Sequence, residues 1–145
     1  MKKSLLGVIV LLAGACLLAM SAQKPPAAAA GNAQIERGRY LVEDVAMCGE
    51  CHTPRDENGD LDHSRWLEGA PLWFTPNQSY KDWAYRAPAL AGLGSFTEAD
   101  MTMVLEKGLQ PTGRAIRPPM HVYHMNHDDA NAIIAYLKSV PRVSQ

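Results

Sequence analysis

The sequence predicts an all-α protein with long irregular connections, and three observations carry that expectation. Three segments place apolar residues at helical spacings, strand-forming runs are weak throughout, and the stretch from Thr53 to Thr97 shows little periodicity of either kind. The first helix is expected over about Gln34 to Met47, with Ile35, Leu41, Val42 and Val45 at helical spacings, and it runs directly into Cys48. The second opens on Thr97 as N-cap, with Asp100 placed to complete a capping box, continues through Met101, Val104 and Leu105, and stops at Gly108. The third starts near Asn126, carries Ile133, Leu137 and Val140 on one face with Ile134 beside them, and ends at Pro141, whose ring cannot continue a helix.

The chain ahead of these helices divides by composition. Residues 1–22 begin with Lys2 and Lys3, run through an apolar stretch from Leu5 to Met20 and turn to small residues, the layout of a secretory signal. The apolar run is slightly short of the roughly 17 to 25 residues that span a bilayer, so cleavage is expected. "LAGAC" resembles the lipobox of bacterial lipoproteins, which makes Cys16 either a lipidated anchor or a small residue discarded with the signal. An uncleaved N-terminal segment would also hold the protein at a membrane. Residues 23–33, "QKPPAAAAGNA", carry almost no large apolar side chains and read as a flexible Pro/Ala linker. Residues 34–145 form one small domain without internal repeats. An exported, periplasmic location follows from the signal. With a formal net charge of −1 and no basic patch to neutralise phosphates, nucleic acid is excluded as a partner.

A connection as long as Thr53 to Thr97 is unusual in a compact domain unless something other than helices fills the core. It contains Trp66, Trp73 and Trp83 together with Phe74, Tyr80 and Tyr85. A bulky apolar cofactor would supply the missing core. The aromatic residues are then expected to pack around it, the competing reading being a surface on which a partner docks. Within the same connection, Asp56, Asn58 and Asp60 alternate as in a calcium loop. Leu61 stands where such a loop requires Gly and Leu67 where it requires Glu, so a turn on Asn58 and Gly59 is the better account.

The chemistry is carried by Cys48-Gly49-Glu50-Cys51-His52. With three Cys and five His in 145 residues, accident would produce C-x-x-C-H in about 0.002 of such chains. A zinc site would need a second cluster of ligands; no second Cys pair exists, and only His121, His124 and His127 could complete it. A thioredoxin-like dithiol would need a βαβ setting, whereas the residues before Cys48 are helical. Haem attachment suits each residue type at its position. On a helical turn, residues at i, i+3 and i+4 lie on one face, so Cys48 and Cys51 can each form a thioether with a vinyl group while His52 faces the iron.

At this point three stretches resemble class I cytochromes c: "ERGRYLVEDVAMCGECHTP" their first helix and haem-binding segment, "APALAGLGSFTEADMTMVLEKGL" their central loop and helix, and "RPPMHVYHMNHDDANAIIAYLKSVP" their sixth-ligand loop and closing helix. The resemblance covers essentially the whole domain. Its last stretch is most similar to cytochrome subunits and mono-haem domains that work with membrane-bound dehydrogenases. His121 departs from their P-x-M-P loop, and the first helix is a residue or so longer than their spacing.

The resemblance implies three or more helices around one covalently attached haem c. It implies that the first and last helices cross at Gly38, with Tyr40, Leu41, Tyr136 and Leu137 near the contact. It further implies that Pro88 offers its carbonyl to His52, with Pro71 as the competing candidate, a bond that would orient the imidazole. For the sixth ligand the loop offers Met120, Met125, His121 and His124, while Met101 and Met103 sit on a helix and read as core or surface. Met120 follows two prolines that would hold the chain extended, Met125 adjoins the N-cap Asn126, and the family pattern places the ligand at Met120. Arg114 and Arg117 either pair with haem propionates or are solvated.

The expected function is a single-electron carrier with His52 and Met120 as axial ligands. Its partners would be redox proteins, a dehydrogenase or a terminal oxidase. The alternative is a haem protein with an open iron site that binds or reduces a small ligand such as a peroxide or nitric oxide.

Overall fold

A computed structural model describes residues 27–143. By its contacts the chain falls into two units, Met1–Ala30 and Gly31–Gln145. Of the first, the described residues are helical; the fold below is that of the second. Residues 1–22, where a secretory signal is expected, with Cys16, and residues 23–26 of the expected linker lie outside the described residues.

Helix α1 runs from Ala27 to Tyr40. Residues 27–33, read from composition as linker, are therefore helical. Four consecutive alanines are the strongest helix formers available, and helix formation does not require the apolar side chains whose lack suggested a tether. Beyond Tyr40 the expected single helix changes hand-hold: Leu41–Val45 form a π turn, with the Ala46 N–H donating to the Leu41 carbonyl at 2.8 Å. A π turn absorbs an extra residue within a helix. The wider turn buries Leu41 and Val42 together, and Met47, at φ 48°, ends the segment just before Cys48. The short helix α2, Gly49–His52, follows at once.

The long connection is built from local turns. The Asp56 carboxylate accepts from the N–H groups of Asn58 (2.9 Å) and Asp60 (3.0 Å), and Gly59 takes φ 88°, so "DENGD" is a turn. Two-residue strands, β1 (Ala70–Pro71) and β2 (Arg86–Ala87), pair antiparallel and close off the loop that carries most of the aromatic residues. In that loop Phe74 lies edge-on to Trp73 (5.0 Å) and to Trp83 (6.0 Å), and Tyr80 packs on Trp83 at 5.6 Å. Trp73 and Tyr85 remain more than three-fifths exposed.

Helix α3, Glu98–Lys107, carries the expected capping box: the Asp100 N–H donates to Thr97 Oγ1 at 3.1 Å, and the Thr97 N–H to the Asp100 carboxylate at 2.9 Å. Gly108 ends it in the left-handed conformation. Helix α4, His127–Ser139, is capped by Asn126, whose side chain accepts from the Asp129 N–H at 2.9 Å. The two helices are tied at both ends, by His127 to Glu106 and by Lys138 to Glu98. Their facing residues Met101, Leu105, Ile133 and Leu137 join Leu41, Val42, Leu67 and Leu90 in one core.

Where α1 crosses α4, Gly38 has no room for a side chain. A Cβ there would lie 2.6 Å from the Ala132 carbonyl carbon and 2.8 Å from Tyr136 Cβ. Leu41, Tyr136 and Leu137 are buried as expected, but Tyr40 is 48% exposed, with the Arg37 guanidinium 5.7 Å from its ring centre. Gly38→Ala should lower stability by about 1–3 kcal/mol through overpacking, seen as a lower midpoint in denaturant unfolding. An unchanged midpoint would show that the crossing tolerates a methyl group.

Candidate functional site

Helix α2 and the loop before α4 face each other across an apolar cavity of about 280 Å3. Cys48, Cys51 and His52 form one wall; Met120 and Tyr123 stand on another; Phe96, Met101, Val104 and Leu105 come from the α3 side, and Ile133 and Leu137 from α4. A more open hollow of about 480 Å3, lined by Glu43, Met47, Glu50 and Trp66 among others, contains neither cysteine nor His52. The sequence-predicted donors are therefore gathered in the first cavity.

His52 is 6% exposed, and its Nδ1–H donates to the Pro88 carbonyl oxygen at 2.7 Å. Because a carbonyl can only accept, this bond fixes the tautomer and leaves Nε2 with its lone pair. Burial lowers the His52 pKa, the Pro88 bond opposing it, so burial favours the neutral ring. Pro71, the other candidate partner, sits in β1 opposite Arg86.

Pro88 is placed by a short ladder of backbone bonds. Leu67 donates its N–H to Thr53 Oγ1 (3.0 Å), and its carbonyl accepts from Leu90 (2.8 Å) and Ala91 (3.1 Å). The Gly69 N–H donates to the His52 carbonyl at 2.7 Å. At φ 79°, with Pro88 C and Ala89 N within 2.8 Å of any Cβ, only glycine lets residues 87–89 come this close.

Burial pushes the Cys48 thiol up to about 11, and burial followed by the nearby Glu50 raises Cys51, Arg55 opposing. Thiol–disulfide exchange depends on thiolate, so this environment does not suit a redox dithiol. Nor do the histidines gather for zinc: among the described residues no group of three or more His, Cys, Asp or Glu could hold a metal ion.

The aromatic expectation needs correcting. None of Trp66, Trp73 or Trp83 lines the cavity. Trp66 instead backs α2: a Cβ on Gly49 would lie 3.2 Å from Cζ2 and closer to other atoms of the ring. The Trp66 indole donates to Tyr136 Oη at 3.1 Å, and Tyr136 in turn donates to Glu43 at 2.6 Å. Trp73, Phe74, Tyr80 and Trp83 pack on one another, because a loop closed off by β1 and β2 finds its nearest apolar partners within itself, while Tyr85 is left exposed.

Met120 lies in the cavity wall between Pro119 and His121. The chain turns there rather than running extended, since the Met120 N–H donates to the Arg117 carbonyl at 3.2 Å. Met125 packs against the main core and its N–H donates to the Leu105 carbonyl; His124 is not in the wall. Arg117 donates to the carbonyls of Asp82 and Trp83, and Arg114 lies 3.9 Å from Asp82 in a well-solvated pair.

Sequence reasoning did not single out Phe96 or Tyr123. Phe96 precedes the N-cap Thr97, with Met101 four residues into the helix; this is the spacing of a hydrophobic staple, and it could have been found. Tyr123 donates to the Ala46 carbonyl at 3.1 Å, joining two residues of the cavity lining by a bond to backbone that no residue pattern announces.

A buried histidine with its tautomer fixed, two thiols and a methionine lining one apolar cavity form a set of groups that can hold a haem. The chain belongs to the cytochrome c family, whose model, described as Cytochrome c, matches residues 35–141. Among its relatives is the fructose dehydrogenase cytochrome subunit of Gluconobacter japonicus, 36% identical over 117 residues, covering 76% of this chain and 23% of that one. A diheme cytochrome c-type protein of Cereibacter sphaeroides is 37% identical over 119 residues, 74% of this chain and 36% of that one. The cytochrome c subunit of the quinone alcohol dehydrogenase of Gluconobacter oxydans is 32% identical over 126 residues, 77% of this chain and 25% of that one. The chain thus spans about a quarter to a third of the length of these relatives.

Proposed function

We propose that this chain is a single-electron carrier that holds one haem c, with Cys48 and Cys51 attaching it and His52 and Met120 as axial ligands. One haem is proposed because the sequence contains one C-x-x-C-H, although a relative is named diheme. The observation that carries the reading is the His52–Pro88 bond, which leaves Nε2 as the imidazole's only free donor atom in a cavity that also contains Met120.

When bound, the haem would supply a reversible one-electron change at its iron. The chain's own residues do the rest. The Pro88 carbonyl keeps the His52 tautomer and strengthens the ring as a donor. Leu90, Phe96, Val104 and Ile133 exclude water, which with the choice of a thioether ligand sets the potential. The electron donor is proposed to be a membrane-bound dehydrogenase, with a terminal oxidase as the acceptor class; that relatives are named as cytochrome subunits of fructose and quinone alcohol dehydrogenases supports a dehydrogenase partner. A periplasmic location, with a tether through Cys16 or the N-terminal segment, rests on the sequence of residues 1–22. Among the described residues no helix is long and apolar enough to cross a membrane.

The test is the spectrum of the purified holoprotein. A low-spin six-coordinate haem whose reduced form ignores carbon monoxide is expected. Rapid carbon monoxide binding by the native protein would favour an open iron site and a ligand-binding or reducing role instead.

A further inference from the structure

We propose that the aromatic loop between β1 and β2 is a brace for the Met120 loop, and that Arg117 is the positioning residue that joins them. The proposal rests on Met120 as the sixth ligand. Three hydrogen bonds connect the two loops: the Arg117 guanidinium donates through Nε to the Asp82 carbonyl (3.1 Å) and through Nη2 to the Trp83 carbonyl (2.8 Å), and the Ala84 N–H donates to the Pro118 carbonyl (2.7 Å). The Arg117 carbonyl then accepts from the Met120 N–H, so the connection ends at the residue that carries the thioether.

The brace side is fixed by packing. Trp83 is held edge-on by Phe74 and flanked by Tyr80, and its buried indole Nε1 has no hydrogen-bond partner among the described residues. A buried donor without a partner is unfavourable, so ring packing, rather than the indole's polar group, determines where residues 82–84 sit. The far side of the Met120 loop is held separately, by Tyr123 on Ala46 and by Met125 on Leu105. Met120 is thus suspended between two anchors, and a thioether is a neutral, easily displaced ligand. How often it detaches depends on how firmly its loop is held. Arg117 forms the anchor nearer in sequence.

The experiment uses the full-length oxidised holoprotein and imidazole as the competing ligand, which enters when Met120 leaves the iron. Arg117→Gln should bind imidazole about tenfold faster, the equivalent of one lost hydrogen bond to a charged group. Arg117→Lys, which keeps the charge but not the planar fork, should fall between. Arg114→Gln should match the native protein. The thermal midpoint of the helical signal should move little in all three, because Arg117 lies outside the core; a purely structural role would lower that midpoint and leave the imidazole rate below the unfolding transition unchanged. An unchanged imidazole rate in Arg117→Gln overturns the brace, as does a shifted potential with an unchanged rate, which would make Arg117 a charge acting on the haem. If Met120→Ala keeps the native sulfur–iron band, the ligand assignment fails and the brace with it. If Met120→Ala loses the band while Arg117→Gln behaves as native, only the brace fails.

Discussion

Met120→Ala should abolish the weak sulfur-to-iron absorption band at the red end of the visible spectrum, lower the reduction potential and open the reduced haem to carbon monoxide. A thioether favours ferrous iron and raises the potential. Its loss should lower the potential by on the order of 0.1 V, within the roughly 0.8 V that axial ligands span. Two other methionines provide controls. Met101 lines the same cavity from α3, and Met125 sits in the core beside Leu105, so Met101→Leu and Met125→Ala should both keep the band. If Met125→Ala loses it and Met120→Ala does not, the loop has been read out of register.

Replacing both Cys48 and Cys51 by alanine should yield no stable holoprotein, whereas the native haem should stay with the polypeptide through acid–acetone extraction and denaturing electrophoresis. The size of the effect follows from the cavity. Without the haem, the side chains of Phe96, Met101, Val104, Leu105, Ile133 and Leu137 that line this cavity face water instead of an apolar partner, each at a cost on the order of 1 kcal/mol. Folded domains are stable by only about 5–15 kcal/mol in total, so a chain that cannot retain its haem gives up much of its fold as well. The double variant should therefore also lose helical signal. Haem extracted intact from the native protein would overturn covalent attachment.

How much of this was legible in the sequence depends on what each contact is made of. The caps of α3 and α4 were legible because Thr97, Asp100 and Asn126 satisfy nearby backbone groups with their own side chains, and Gly108 supplies a left-handed stop. Cys48, Cys51 and His52 stood out because their spacing is a pattern in the sequence itself, and the structure brings all three to one cavity. Pro88 and Gly38 came only through family resemblance: one acts through a backbone carbonyl and the other through lack of a side chain, and neither leaves a periodic mark. The aromatic loop was misread. Its hydrogen bonds to the Met120 loop run to the carbonyls of Asp82 and Trp83 and from the Ala84 N–H, backbone groups that carry no mark of residue type, so composition pointed to the cofactor where geometry points to the neighbouring loop.

The π turn at Leu41–Val45 has a bearing on how this chain is compared with its kin. Two points on either side of it are pinned: Gly38 against Ala132, and Cys48 through the bond its N–H donates to the Val42 carbonyl. Between them the backbone carries one residue more than an α-helical turn requires. A relative with a shorter first helix can reach the same two points by closing the π turn to an α turn. A gap aligned there keeps the crossing glycine and the first cysteine in correspondence. The same gap placed beyond His52 would slide Cys48, Cys51 and His52 one residue out of correspondence, and every residue-by-residue transfer between Val45 and the gap would inherit the error.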